Sequence, residues 1–178
     1  MWHKIPTRWV PRVLLFAGVG IGSFVLTLWV INPVPKSSGP EDLRSASERL
    51  ATYDVPGRMQ LIEAAISLGL QSSRQMSANI DGISRINDRE VVVRGWLADP
   101  GGDATPLKLL IFVAGKLAAA TDTHGERPDV AKALALTFGA EKNVAFQASF
   151  GCPPGQQPIM VGLGIEKQYL PIKSPPCP

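Results

Sequence analysis

The segment REVVVRGWLAD, residues 89–99, repeats every two residues. Successive side chains in a strand point to opposite faces. Val91, Val93 and Leu97 therefore share one face, and Val92, Arg94 and Trp96 the other. The next segment, PGGDATP (100–106), turns the chain. LKLLIFVAG (107–115) is apolar enough for a strand buried on both sides, and KLAAAT (116–121) follows as its hairpin partner. RPDVAKALAL (127–136) has Pro128 near its start and predicts a short helix. NVAFQASF (143–150) alternates, with Val144, Phe146, Ala148 and Phe150 inward. PIMVGLGIE (158–166) and QYLPI (168–172) form a last pair. Six or seven short strands in about 100 residues predict a mainly β fold, an antiparallel Ig-like β-sandwich with one short helix over residues 78–178.

Upstream the period is helical. NPVPKSSG (32–39) is a polar, proline-bearing linker. Pro40 suits a first helical turn, and Leu43, Ala46, Leu50 and Ala51 recur at helical spacing, so a helix is expected over Pro40–Thr52. DVPG (54–57) breaks it. In Arg58–Met76, Leu61, Ile62, Ala65, Ile66 and Leu68 fit a second helix, while Gly69 and the serines beyond it oppose one. Residues 32–77 are expected as a linker and helical stalk, with docking on the downstream domain as the alternative.

Further upstream, VLLFAGVGIGSFVLTLWVI (13–31) holds no charged residue. Its length suits a hydrocarbon core of roughly 30 Å, so a single transmembrane helix is expected. A phosphate-cradling loop is excluded, because the spacing is G-x-G-x-G and no Lys-Ser/Thr follows. Ala17, Gly18, Gly22 and Ser23 lie near one helix face, and Gly18 and Gly22 make the small-xxx-small pair that lets two helices approach closely. Trp9 and Trp29, with Arg8 and Arg12, sit at the expected membrane interfaces.

Charge sets the orientation. Lys4, Arg8 and Arg12 precede the span with no acid among them, and without those three the chain keeps 15 bases against 15 acids. The net charge of +3 is therefore a topology signal, and a nucleic-acid footprint is excluded. It predicts a cytoplasmic tail over 1–12 and a periplasmic body anchored in a bacterial inner membrane. A cleaved signal peptide would want a shorter apolar run and a small-residue cleavage site, and NPVPKSSG offers a poor one.

The two cysteines, Cys152 and Cys177, are too far apart for a C-x-x-C pair. An extracytoplasmic location permits a disulfide between them, worth about 3 kcal/mol in the chain-entropy model.

Chemistry finds little support. Catalysis needs a base or nucleophile with positioned partners. The two histidines are His3, on the tail, and His124, in the turn TDTHGERPD (121–129). Asp99 and Asp103 flank a Gly-Gly turn but fall short of the six to eight oxygens that calcium takes. No catalytic, cofactor-binding or metal-ligating residue is assigned. Trp96 is expected to plug the sandwich core, with sugar stacking as the alternative. Arg127 is expected to clamp structure by pairing with Asp99 or Asp129.

Residues 83–165 resemble a β-sandwich module recurrent in bacterial surface and envelope-associated proteins. The likeness rests on Gly95, Trp96, Asp99, Pro100, Gly115, Arg127, Pro128, Asp129 and Val130; Ala145 replaces the glycine usual before the closing Phe146. It implies a sandwich fold and a non-catalytic role. The N-terminus is similar to light-harvesting α polypeptides at Met1, Trp2, Pro11, Arg12, Leu14 and Phe16. Those polypeptides ligate bacteriochlorophyll through a histidine inside the helix, and this span has none. The likeness thus implies a helix beside such proteins that carries no pigment.

Together these features predict a non-enzymatic accessory or assembly subunit of a larger inner-membrane complex, photosynthetic or respiratory. Its partners would be other transmembrane helices and the lipid bilayer. The competing expectation is a membrane-anchored module binding glycan or cell-wall material.

Overall fold

The computed structural model describes residues 40–102, 105–136 and 142–178. The expected tail, span and linker lie outside the described residues, and with them Arg8, Trp9, Arg12, Ala17, Gly18, Gly22, Ser23 and Trp29. Among the described residues no helix is long and apolar enough to cross a membrane.

The described chain is mainly β. In order it runs α1 (Pro40–Leu50), α2 (Arg58–Ser67), β1 (Gln71–Ser72), β2 (Ser77–Asn87), β3 (Glu90–Ala98), β4 (Lys108–Val113), β5 (Lys116–Asp122), α3 (Pro128–Leu134), β6 (Ala145–Gly151), β7 (Ile159–Gly164) and β8 (Gln168–Ile172). One sheet has the order β1-β8-β7-β4-β5 and the other β2-β3-β6. All pairings are antiparallel except β1 with β8.

The alternation read in residues 89–99 builds the inter-sheet core. Val91, Val93 and Leu97 of β3, with Phe146, Ala148 and Phe150 of β6, pack on Leu109 and Ile111 of β4 and Met160 of β7. The opposite face of the larger sheet presents Leu110, Phe112, Val161, Leu163 and Tyr169, which are covered by Leu43 and Leu50 of α1 and Leu61, Ala64 and Ala65 of α2. That is why β4 reads as an unbroken apolar run: Leu109 to Phe112 are all buried, two on each face.

Of the two alternatives for the segment ahead of β2, the structure has docking. The helices share a core with the sheet, so residues 40–70 form a layer on it. A main-chain bond from Val55 N–H to Gly115 O, 2.7 Å, also ties the interhelical connection to the β4–β5 turn.

Of the ambiguous stretch Arg58–Met76, the helix takes Arg58–Ser67 and stops just before the glycine and serines that weakened a helical reading. Gly69 takes φ +72°, its N–H donates to Ile66 O, and Leu70 N–H donates to Ala65 O, each at 2.9 Å. This pair of bonds closes the helix end around a left-handed glycine and turns the chain away.

β2 is an 11-residue edge strand with little burial, and its pairing with β3 skips Asp81 and Ile86. Each skip is a β-bulge, which re-aims the extra side chain.

Cys152 and Cys177 form a disulfide, with Cα atoms 6.3 Å apart. The tail it closes is also hydrogen bonded to the body. Gly155 N–H donates to Cys177 O, and Cys177 N–H to Gln156 O, both at 2.9 Å. Arg85 of β2 donates from Nε to Pro178 O at 2.9 Å, and its Nη2 reaches the same oxygen.

Two predictions follow from packing and closure. A Cβ on Gly95, mid-strand between β2 and β6, would collide with the carbonyl oxygen of Asn79 and the ring of Phe146. The carbonyl is main chain and has little room to yield, so Gly95→Ala is expected to destabilise the fold by about 1–3 kcal/mol, read by urea unfolding. Cys177→Ser is expected to cost about 3 kcal/mol in the same measurement, and reductant to bring the wild type down to the variant.

Candidate functional site

The densest charged cluster forms where β2, β3 and α3 meet. Asp81 is the extra residue of the first bulge in β2, and Arg127 immediately precedes α3. Arg127 donates from Nη1 to Asp81 Oδ2 at 2.6 Å. It also forks onto Asp129, with Nε to Oδ1 at 3.0 Å and Nη2 to Oδ2 at 2.8 Å. The planar guanidinium suits this two-bond geometry, which a lysine could not reproduce.

The electrostatics follow the contacts. The Arg127 guanidinium is held above its ordinary value, first by the hydrogen bond to Asp129 and then, against some desolvation, by that to Asp81. Asp129 is lowered to about 2, chiefly by the hydrogen bond from Arg127. Asp129 was the expected partner of Arg127; Asp81, not Asp99, is the second carboxylate bonded to it. Asp99 instead accepts from Gly101 N–H at 3.1 Å and shapes its own turn. Asp103 lies outside the described residues.

Trp96 does not plug the core between the sheets. It lies on the outer face of β3, half-buried against Ala98, Val144, Val130 and Leu134. This places it under α3, where the Arg127 fork holds the start of that helix. Trp96 also borders an open cleft of about 520 Å³ along β2 and β8, with Asn79, Ile80 and Pro171. No second aromatic ring lines that cleft among the described residues.

His124 is exposed, and its Nδ1 sits 3.0 Å from the main-chain oxygen of Asp122, a carbonyl and not a carboxylate. Among the described residues no group of three or more His, Cys, Asp or Glu side chains is placed to hold a metal ion. A groove of about 580 Å³ runs between α1 and β5 over Leu43, Leu110 and Leu117. Its walls carry the Arg44–Glu48 pair at 2.8 Å and the Lys108–Asp122 pair at 2.6 Å.

Two participants escaped the sequence. Asp81 carried a faint signal, since the Asp-Gly step inside a strand marks a bulge. Arg85 carried none, because its acceptors come from the far end of the chain. Compared with family models, curated proteins and solved structures, the chain matches none.

What the charged cluster does is fasten α3 to β2. A carboxyl held below its ordinary value stabilises the fold while ionised, so its contribution is complete above about pH 4 and is lost as the pH falls through about 2. Asp129→Asn is expected to lower the thermal midpoint at neutral pH. The gap from wild type should narrow as the pH is taken from about 4 to about 2, followed by circular dichroism melts. A gap independent of pH over that window would contradict the assignment.

Proposed function

We propose that the chain is a non-enzymatic, single-span accessory or assembly subunit of a larger inner-membrane complex, photosynthetic or respiratory, that presents a periplasmic interaction domain. The observation that carries this is the uncharged stretch 13–31 with Lys4, Arg8 and Arg12 on one side of it alone. The Cys152–Cys177 disulfide supports an oxidising compartment for the body. On this reading the two facing sheets are an Ig-like sandwich, with the short parallel β1–β8 pair as an addition. Residues 1–12 lie in the cytoplasm, and Gly18 and Gly22, flanked by Ala17 and Ser23, pack on a neighbouring transmembrane helix.

One observation favours a second reading, a membrane-anchored module for glycan or cell-wall material. Trp96 keeps part of its ring exposed beside an open cleft. Sugar recognition draws on apolar ring faces, and the cleft offers this one alone among its described lining.

Bulk at the packing face separates helices that need to touch. Gly18→Leu or Gly22→Leu is expected to release the protein from its complex in mild detergent, read by co-purification from native membranes. Undiminished recovery with both variants would exclude the packing face.

A further inference from the structure

α2 is apolar on two sides. Leu61, Ala64 and Ala65 face the sheet, while Met59 and Ile66 are 63% and 62% exposed, the highest values among the described large hydrophobic residues. Half-buried Ile62 lies between them, and the spacing of 59, 62 and 66 places all three along one helix face. At the end of this stripe the Tyr53 hydroxyl meets Ser67 Oγ at 3.1 Å. Tyr53 thus brings a ring with an apolar body and a polar tip to the C-terminal end of α2, a side chain suited to a boundary between oil and water.

We infer that this stripe seats on the surface of the lipid bilayer, which holds the helix layer against the membrane. The inference rests on the proposed anchor at 13–31. Only the eight residues 32–39 separate that stretch from Pro40, where α1 begins. Fully extended they reach at most about 30 Å. α1 and α2 cover the same face of the five-stranded sheet, so the short tether enters the layer that carries the stripe. A tether of this length raises the effective concentration of a weak contact, and a few aliphatic chains then suffice.

Lipid fits the stripe better than a protein does. Specific protein interfaces take roughly 800 Å² from each partner and centre on aromatic or Arg anchors in pockets. Three aliphatic side chains in single file offer neither. The two helices carry Arg44, Arg49 and Arg58 against Glu41, Asp42, Glu48 and Glu63, a net charge of −1 that offers no attraction to anionic lipid. Seating therefore draws on insertion of apolar groups, needs no anionic lipid and resists salt.

The test uses the full chain in vesicles of phosphatidylcholine alone. Single variants Met59→Cys, Ile66→Cys and Ile86→Cys are labelled with an environment-sensitive fluorophore, the native cysteines being tied in their disulfide. Ile86 is exposed on β2, in the sheet on the far side from the helices. The expected result is blue-shifted emission at 59 and 66, quenched severalfold more than at 86 by lipids spin-labelled in the acyl chain, in low and high salt alike. Carbonate extraction of the same vesicles separates the two layers of the inference. If the protein stays in the membrane while 59 and 66 are quenched no more than 86, the seat is overturned and the anchor stands. If carbonate releases the protein, the anchor has failed and the seat with it. Shielding of 59 and 66 in native membranes but not in pure lipid would make the occupant a protein and overturn the seat.

Discussion

The inner strands β4 and β7 of the five-stranded sheet are buried on both faces, and the rest of the structure answers to that. β4 and β7 present large apolar side chains alternately up and down. Neither face tolerates water over such an area. One is closed by β3 and β6, the other by α1 and α2. The helices thus belong to the domain for the same reason that the second sheet does. Removing either cover would expose a contiguous apolar surface far beyond what soluble proteins leave open.

β2 shows the opposite economy. It is long, exposed and at the edge of its sheet, the kind of strand that invites pairing with a stranger. Two bulges interrupt its ladder, and charged side chains stand along it. The same features hold it in place. Asp81, displaced by the first bulge, is fastened by Arg127, and Arg85 near the second bulge is fastened to the disulfide-closed tail. Irregularity that spoils the edge for outsiders thus supplies the attachment points for the strand itself.

These contrasts explain which parts were legible in the sequence. Where burial is one-sided or complete, periodicity carries the information, and β3, β4, β6, β7 and β8 fall on the segments that their patterns named, while β5, exposed on most positions, was legible as the hairpin partner of β4. β2 went unnamed because a strand exposed on most positions has no alternation to read. α2 was ambiguous because its outer face is apolar too, which blurs the helical period, and its end depended on a glycine in a left-handed turn. Trp96 is the instructive difference. The alternation across residues 89–99 had already put it opposite Val91, Val93 and Leu97; analogy with other sandwiches placed it in the core, and the alternation was the better guide. The Arg127 fork was half legible, through a neighbour two residues away, while Asp81 came from 46 residues upstream.

The distribution of charge bears on how such a body would find its place. The 15 bases and 15 acids beyond residue 31 leave it with no net field to steer it toward a partner or a membrane. A protein built this way would gain proximity from the proposed anchor instead. With the proposed anchor supplying it, the body needs only weak, non-ionic contacts to settle, and those survive changes of salt that would release a charge-steered partner. The same logic accounts for where stiffness is spent. The arginine bonds fasten the edge strand, and the disulfide, itself buried in the inter-sheet core, closes the chain end.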